Sequence, residues 1–165
     1  MKEHLTAALI TAETPFLTLV EDSGWAHASL EGLVLDLGRW WEPDADTRLV
    51  EQVMFSVAAS EAARTADGVY VEGFVWTQGE VVAAAWCGAG EKVVYGPRAD
   101  AYLGVALAPR FCRRVQQSNG TAAVLMSKDR KLLPLLRDGL PPGTVLDGGS
   151  PGPRYPDAAP DGSAR

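Results

Sequence analysis

Apolar residues recur every three to four positions between Thr47 and Thr65, a spacing typical of a helix that buries one face. Just upstream, Pro43 disfavours helical backbone at the residue before it, and Asp44 or Asp46 can cap the helix that follows. The pattern therefore predicts a helix over residues 47 to 65, and its apolar positions are Leu49, Val50, Val53, Met54, Val57, Ala58 and Ala62.

Downstream of this helix the pattern changes to short apolar or alternating runs rich in β-branched and aromatic residues. "VYVEGFVWTQ" turns at Gly79 into "EVVAAAWC", which favours two antiparallel strands. "KVVYG" and "AYLGVAL" continue the series. Residues 69–107 are therefore predicted to form an antiparallel meander, and a further strand is expected at 121–126.

The remaining segments complete an α+β prediction. Residues 15–38 alternate loosely and suggest one or two strands or a short helix, and two more helices are expected near 109–118 and from about 129 to 137. Residues 148–165 are rich in Pro, Gly, Ser and Asp and predict a disordered tail. We therefore expect one globular domain over residues 1–147, in which the first helix packs on an antiparallel sheet and further helices lie C-terminal to it.

Composition narrows the class of protein. A chain of 165 residues is usually one domain, and its net charge of −6 argues against a nucleic-acid partner, whose phosphates favour an excess of Lys and Arg. No apolar run is long enough to span a bilayer, so no membrane partner is expected. The N-terminus lacks the features of a signal peptide, which predicts a cytoplasmic protein with two reduced cysteines.

Candidate chemistry is sparse. A nucleophilic cysteine needs a histidine within hydrogen-bond reach, but the chain has only His4, in the terminal segment, and His27. These histidines and the two cysteines, Cys87 and Cys112, lack the spacing of metal ligands, so neither a metal site nor a cofactor is expected. Glu72 is the one acidic residue in an apolar strand, and it is either an outward-facing carboxylate or a cleft residue.

Five segments follow one another in an order similar to that of small bacterial and phage cysteine-hydrolase-like proteins with a transglutaminase-like or papain-like fold. They are "MFSVAASEAA", "YVEGFV", "AAAWC", "VVYGP" and "YLGVAL". In that group the segments look like C-F-x-N-A, Y-x-E-G-[YF]-A, H-A-W, [VI]-[VI]-D-P-T-W and Y-[FL]-G-[VI]. The matching positions are Phe55, Ala58, Tyr70, Glu72, Gly73, Phe74, Ala85, Trp86, Val94, Pro97, Tyr102, Gly104 and Val105.

The reactive positions of that family are replaced. The resemblance puts Met54 in the place of the nucleophile, Ala84 in that of the base and Gly96 in that of the orienting acid. These three side chains retain none of the proton-transfer chemistry of a Cys-His-Asp triad. The resemblance therefore implies a catalytically inactive protein in which these positions converge on a former cleft, with the candidate residues Met54, Phe55, Tyr70, Glu72, Ala84, Trp86, Gly96 and Tyr102.

Three functions are compatible with these sequence features. The first is a binding, regulatory or accessory module that holds a peptide, a small molecule or a protein partner in the former cleft. The second is an immunity-like or accessory protein that engages a basic partner through its acidic surface. The third is an enzyme with different chemistry, which uses Cys87 or Cys112 with His27 or an acidic residue.

Overall fold

The computed structural model describes residues 1–127 and 133–154. Five strands form a closed barrel in the order β1-β4-β3-β2-β5. Helices lie outside it and cover parts of its wall. In chain order the elements are α1 (Lys2–Glu13), a 3-10 turn (Thr14–Phe16), α2 (Thr18–Glu21), α3 (Leu30–Leu37), β1 (Arg39–Val50), α4 (Phe55–Arg64), β2 (Val69–Thr77), β3 (Glu80–Ala89), β4 (Lys92–Pro97), β5 (Ala101–Leu107), α5 (Pro109–Asn119) and α6 (Leu133–Asp138).

Strand β1 closes the barrel. β2, β3 and β4 form an antiparallel meander, and β5 pairs with β2 on its other side. The first residues of β1, Arg39 to Trp41, pair antiparallel with β5, whereas Glu42, Pro43 and the segment 48–50 pair parallel with β4. The register shifts between Pro43 and Arg48. A single strand thus satisfies the two edges that the meander would otherwise expose.

The barrel interior is filled by aromatic and aliphatic side chains. The buried members are Trp41, Val71, Val75, Ala84, Trp86, Val93, Tyr102 and Ala106. Their positions alternate along the strands, as expected where one sheet face encloses a core. Gly104 makes room for the indole of Trp86, because a Cβ built at Gly104 would lie 2.7 Å from that ring. The interior is therefore a packed core.

The outer core joins the barrel to the helices. Leu5 and Leu9 of α1, with Leu33 of α3, pack in one cluster with Leu103 and Leu107 of β5. Ser29 caps α3, since its side chain accepts a hydrogen bond from the backbone N–H of Gly32. The two faces of β5 are thus buried against different cores, which explains why the whole strand is apolar.

The chain returns across the barrel after residue 143. The N–H of Leu146 donates to the carbonyl of Ala106, and Trp40 and Ser150 exchange backbone hydrogen bonds of 2.9 and 2.8 Å. Arg154 then donates two hydrogen bonds of 2.7 Å to the buried carboxylate of Glu13. Of the tail predicted over 148–165, residues 155–165 lie outside the described residues.

The predicted fold class is wrong, because the sheet closes into a barrel instead of lying open beneath one helix. The missed element is β1. Its sequence "RWWEPDADTRLV" is polar and exposed over its middle, so it lacks the alternation that identified the other strands. The barrel also argues against the papain-like fold that the resemblance implied, and that prediction is corrected with it.

The predicted boundaries of several elements differ from those in the structure. The predicted helix over 47–65 begins only at Phe55, because residues 48–50 belong to β1 and pair with β4. The predicted strand at 121–126 is irregular backbone, whose N–H groups bind a side chain instead of a neighbouring strand. The helix expected near 109–118 is α5. Of the helix expected over 129–137, residues 133–137 lie in α6 and residues 129–132 lie outside the described residues.

The packing of the barrel interior yields a first prediction. Gly104→Ala places a methyl group 2.7 Å from both the Trp86 ring and Val71 Cγ1, so we expect the variant to lose about 1–3 kcal/mol of unfolding free energy in urea titrations. Ala83→Val is the control, because Ala83 is exposed on β3 and a larger side chain there meets solvent. Equal unfolding midpoints for the two variants would contradict a packed interior.

Candidate functional site

Met54 lies outside the barrel. It precedes α4, its side chain is 68% exposed, and its carbonyl accepts hydrogen bonds from the N–H groups of Val57 and Ala58. Phe55, the first residue of α4, is half-buried against the outer core. The start of the helix therefore presents Met54 to solvent.

The other two positions of the former triad face the barrel interior. Ala84 belongs to the interior core together with Trp86 and Tyr102. Gly96 borders the same core, because a Cβ built there would lie 3.0 Å from the Cβ of Trp86. The Tyr102 hydroxyl donates a hydrogen bond to the carbonyl of Pro97, and burial raises the pKa of Tyr102 to about 12. The structure thus groups four of the predicted residues in a filled core and leaves Met54 apart from them.

Glu72 and Tyr70 face the opposite side of β2, towards α5. The Glu72 carboxylate is fully buried and accepts hydrogen bonds from the backbone N–H groups of Val124 at 2.7 Å, Leu125 at 2.6 Å and Met126 at 2.9 Å. It also accepts a hydrogen bond from the Tyr70 hydroxyl. Both carboxylate oxygens are therefore occupied by donors from the protein itself.

This arrangement suits a structural role for Glu72. Burial raises the pKa of the Glu72 carboxyl, and the hydrogen bonds from Tyr70 and the backbone oppose that effect. The same burial and the neighbouring Glu72 raise the pKa of the Tyr70 hydroxyl far above its usual range. The carboxylate holds the irregular segment 124–126 against the barrel wall, and Glu72 does not line the cleft described next.

A cleft of about 450 Å³ opens between α4 and α5, above the ends of β2 and β5. Its apolar lining comes mainly from alanine and aliphatic side chains, and polar groups lie among them. The lining residues are Ala59, Ala62, Ala63, Thr65, Asp67, Gly68, Val69, Tyr70, Leu107, Pro109, Cys112, Arg113, Gln116 and Leu146. Among the residues selected from the sequence, only Tyr70 and Cys112 line it.

The local sequences of α4 and α5 explain the shape of the two cleft walls. On α4 the lining positions are alanines, which leave space where larger side chains would fill it. On the other side, α5 ends at Gly120 in the left-handed conformation, and Gln116 donates a hydrogen bond of 2.7 Å to the carbonyl of Ala122. The sequence signal that could have identified the cleft is the run of small residues on α4 facing the amphipathic α5.

The cysteines are shielded. Cys112 lies on the cleft wall with only 7% of its surface exposed, and burial raises its pKa to about 12. Cys87 is fully buried, with its sulfur 3.7 Å from the Thr65 hydroxyl, and burial raises its pKa as well. Neither thiol is as accessible as a reactive cysteine, and burial outweighs the pKa-lowering charges of Arg113 near Cys112 and Arg48 near Cys87.

The histidines take part in other contacts. His27 Nδ1 lies 2.7 Å from a carboxylate oxygen of Asp36, and the His4 ring stacks on Trp76 with centroids 5.5 Å apart. Neither histidine lines the cleft. Within residues 1–127 and 133–154, no group of three or more His, Cys, Asp or Glu is placed to hold a metal ion. The same ranges contain no helix that is both long and apolar enough to cross a membrane.

Comparisons with protein-family models, with curated proteins and with solved structures gave no match to this chain. The resemblance to a transglutaminase-like relative therefore stays a prediction.

The hydrogen bonds of Glu72 generate a second prediction. Glu72→Gln replaces one acceptor oxygen with an NH₂ group facing backbone donors, so we expect it to lower the unfolding free energy by at least about 2 kcal/mol. Amide hydrogen exchange at residues 124–126 should also accelerate. Glu80→Gln makes the same charge change at an exposed position and should do neither. Unchanged protection of these amides in Glu72→Gln would contradict the anchoring role.

The shielding of the thiols generates a third prediction. With a pKa of about 12, Cys112 has a thiolate fraction roughly 10³ below that of a free cysteine at neutral pH, so we expect iodoacetamide to alkylate it correspondingly slowly. Mass spectrometry of the cysteine peptides, in native buffer and in denaturant, measures the two rates. Similar rates in both conditions would favour a reactive cysteine.

Proposed function

We propose that the protein is a binding module that holds a small, largely apolar molecule in the cleft between α4 and α5 without a covalent step. The observation that carries the proposal is the cleft itself, whose volume of about 450 Å³ falls within the range of small-molecule sites. Its mixture of apolar walls and a few polar groups is also typical of such sites.

The shape of the cleft supports a small ligand over a folded partner. Ala59 and Ala62 of α4 lie across from Cys112 and Gln116 of α5, and Tyr70 contributes to the lining from β2. The Tyr70 hydroxyl already donates to Glu72, so that ring presents mainly its apolar surface. Such a ligand would gain chiefly from burial of apolar surface.

The alternative of an enzyme that uses a cysteine has less support. Cys112 is the only thiol on the cleft wall within the part of the chain that the structure describes, and burial raises its pKa to about 12. A nucleophile of this kind needs a neighbouring base, and the lining holds no histidine. Binding without reaction fits these surroundings better.

The alternative of an acidic surface for a basic partner also has less support. Along β1 and just after it, Glu42 pairs with Lys2 at 2.9 Å, Asp44 with Lys92 at 3.1 Å, and Glu51 with Arg98 at 3.5 Å. These pairs reduce the local negative potential that would attract a basic protein. A cytoplasmic location belongs to our proposal and is supported by the two free, buried cysteines.

Ala62→Phe tests the cleft. The phenyl group should fill the space between α4 and α5, so we expect binding of the neutral probe N-phenyl-1-naphthylamine, measured by its fluorescence, to weaken at least tenfold. Ser60→Phe is the matched control, since Ser60 is exposed on the same helix and does not line the cleft. Both variants should keep the wild-type circular dichroism spectrum.

The proposal is wrong if the wild-type protein does not bind the probe. It is also wrong if Ala62→Phe and Ser60→Phe, both folded, bind the probe equally well, because the probe would then occupy another surface.

A further inference from the structure

A second, more open groove lies on the other side of α5. It has a volume of about 970 Å³ and is bounded by α5 and by the segment 142–144. The two depressions have Pro109 and Arg113 in common, so they meet at the first half of α5. The groove differs from the cleft in its charge.

Three arginines of α5 line this groove, namely Arg110, Arg113 and Arg114. The guanidinium of Arg114 lies 5.9 Å from the centroid of the Phe111 ring, which is buried and so holds that arginine along the helix. No carboxylate lines the groove, whose other members are Ala108, Phe111, Pro109, Gln117, Pro142, Gly143 and Thr144.

These arginines differ from the other basic residues of the protein. Among the residues that the structure describes, none of the three lies in an ion pair with a carboxylate. Most other described cations do have such a carboxylate within 4 Å: Lys2, Arg48, Arg64, Lys92, Arg98, Arg137 and Arg154. The net charge of the protein is −6, and within residues 1–127 and 133–154 the positive charge that lacks a protein counter-ion is thus concentrated at one end of the cleft.

We propose that the ligand is a single-chain amphiphilic anion, whose apolar chain occupies the cleft and whose carboxylate or phosphate head group binds Arg113 and its neighbour Arg110. This inference rests on the proposed function, since the apolar chain needs the cleft. A guanidinium binds either head group through paired N–H donors, which a neutral polar group cannot match. Arg113 is the central residue because it alone among the three lines both depressions.

Isothermal titration calorimetry with decanoate, decyl phosphate and decan-1-ol tests the proposal, because the three share one chain length and differ in head group. We expect at least one of the anions to bind about tenfold or more tightly than the alcohol. Arg113→Gln should remove most of that advantage, and Ala62→Phe should weaken binding of all three compounds. Raised salt should reduce the affinity for the anions and not that for the alcohol.

Arg98→Gln is the matched control, since Arg98 is an exposed arginine that lines neither depression and its loss changes the net charge equally. The head-group proposal is overturned if the three compounds bind equally, or if Arg113→Gln and Arg98→Gln have the same effect. In that case the cleft proposal still stands, provided that Ala62→Phe weakens binding of the neutral naphthylamine probe. If the neutral probe does not bind and the anions bind regardless of Ala62→Phe, both proposals fail.

Discussion

The buried carboxylate of Glu72 is the interaction on which the geometry of the cleft depends. It projects from the outer face of β2 and binds three consecutive backbone N–H groups of residues 124–126. These donors lie in irregular backbone and would otherwise be buried without partners, which costs about 1–3 kcal/mol for each group. Since this segment follows α5, its attachment to the barrel fixes one end of that helix, and β5 fixes the other. One carboxylate therefore helps to set the distance between α4 and α5.

The closed barrel provides the rigid wall behind this arrangement. Its interior is packed with Trp41, Trp86 and Tyr102, so β2 and β5 present a fixed outer surface to the helices. Closure depends on β1, which pairs with both β4 and β5 although its middle is polar and exposed. The buried Trp40 and Trp41 anchor the start of β1. The polar remainder of the strand is held mainly by the edge of β4, whose N–H and C=O groups it satisfies.

The difference between β1 and the other strands explains which elements could be predicted from the sequence. Strands β2 to β5 carry apolar or alternating runs and helix α5 carries a helical pattern, and these patterns located them. β1 carries none, and its parallel pairing with β4 joins residues far apart in the chain, so neither the strand nor the closure was predicted. The interior positions of Ala84 and Gly96 follow from that closure, because in an open sheet the same face could border a cleft. Glu72 was identified as unusual, but its backbone partners lie about fifty residues away and leave no local signal.

The cleft was not predicted for a related reason, because small side chains on α4 leave the space that forms it. In the sequence the alanines on α4 are ordinary helix formers. They line a cleft only because α5 lies opposite them. The arginines of α5 are likewise not distinguished by the sequence from other surface cations. They differ because, unlike most other cations among the described residues, these three have no protein counter-ion there. The apolar cleft and the arginine-lined groove therefore lie on opposite sides of α5. A ligand that satisfies both must be apolar at one end and anionic at the other.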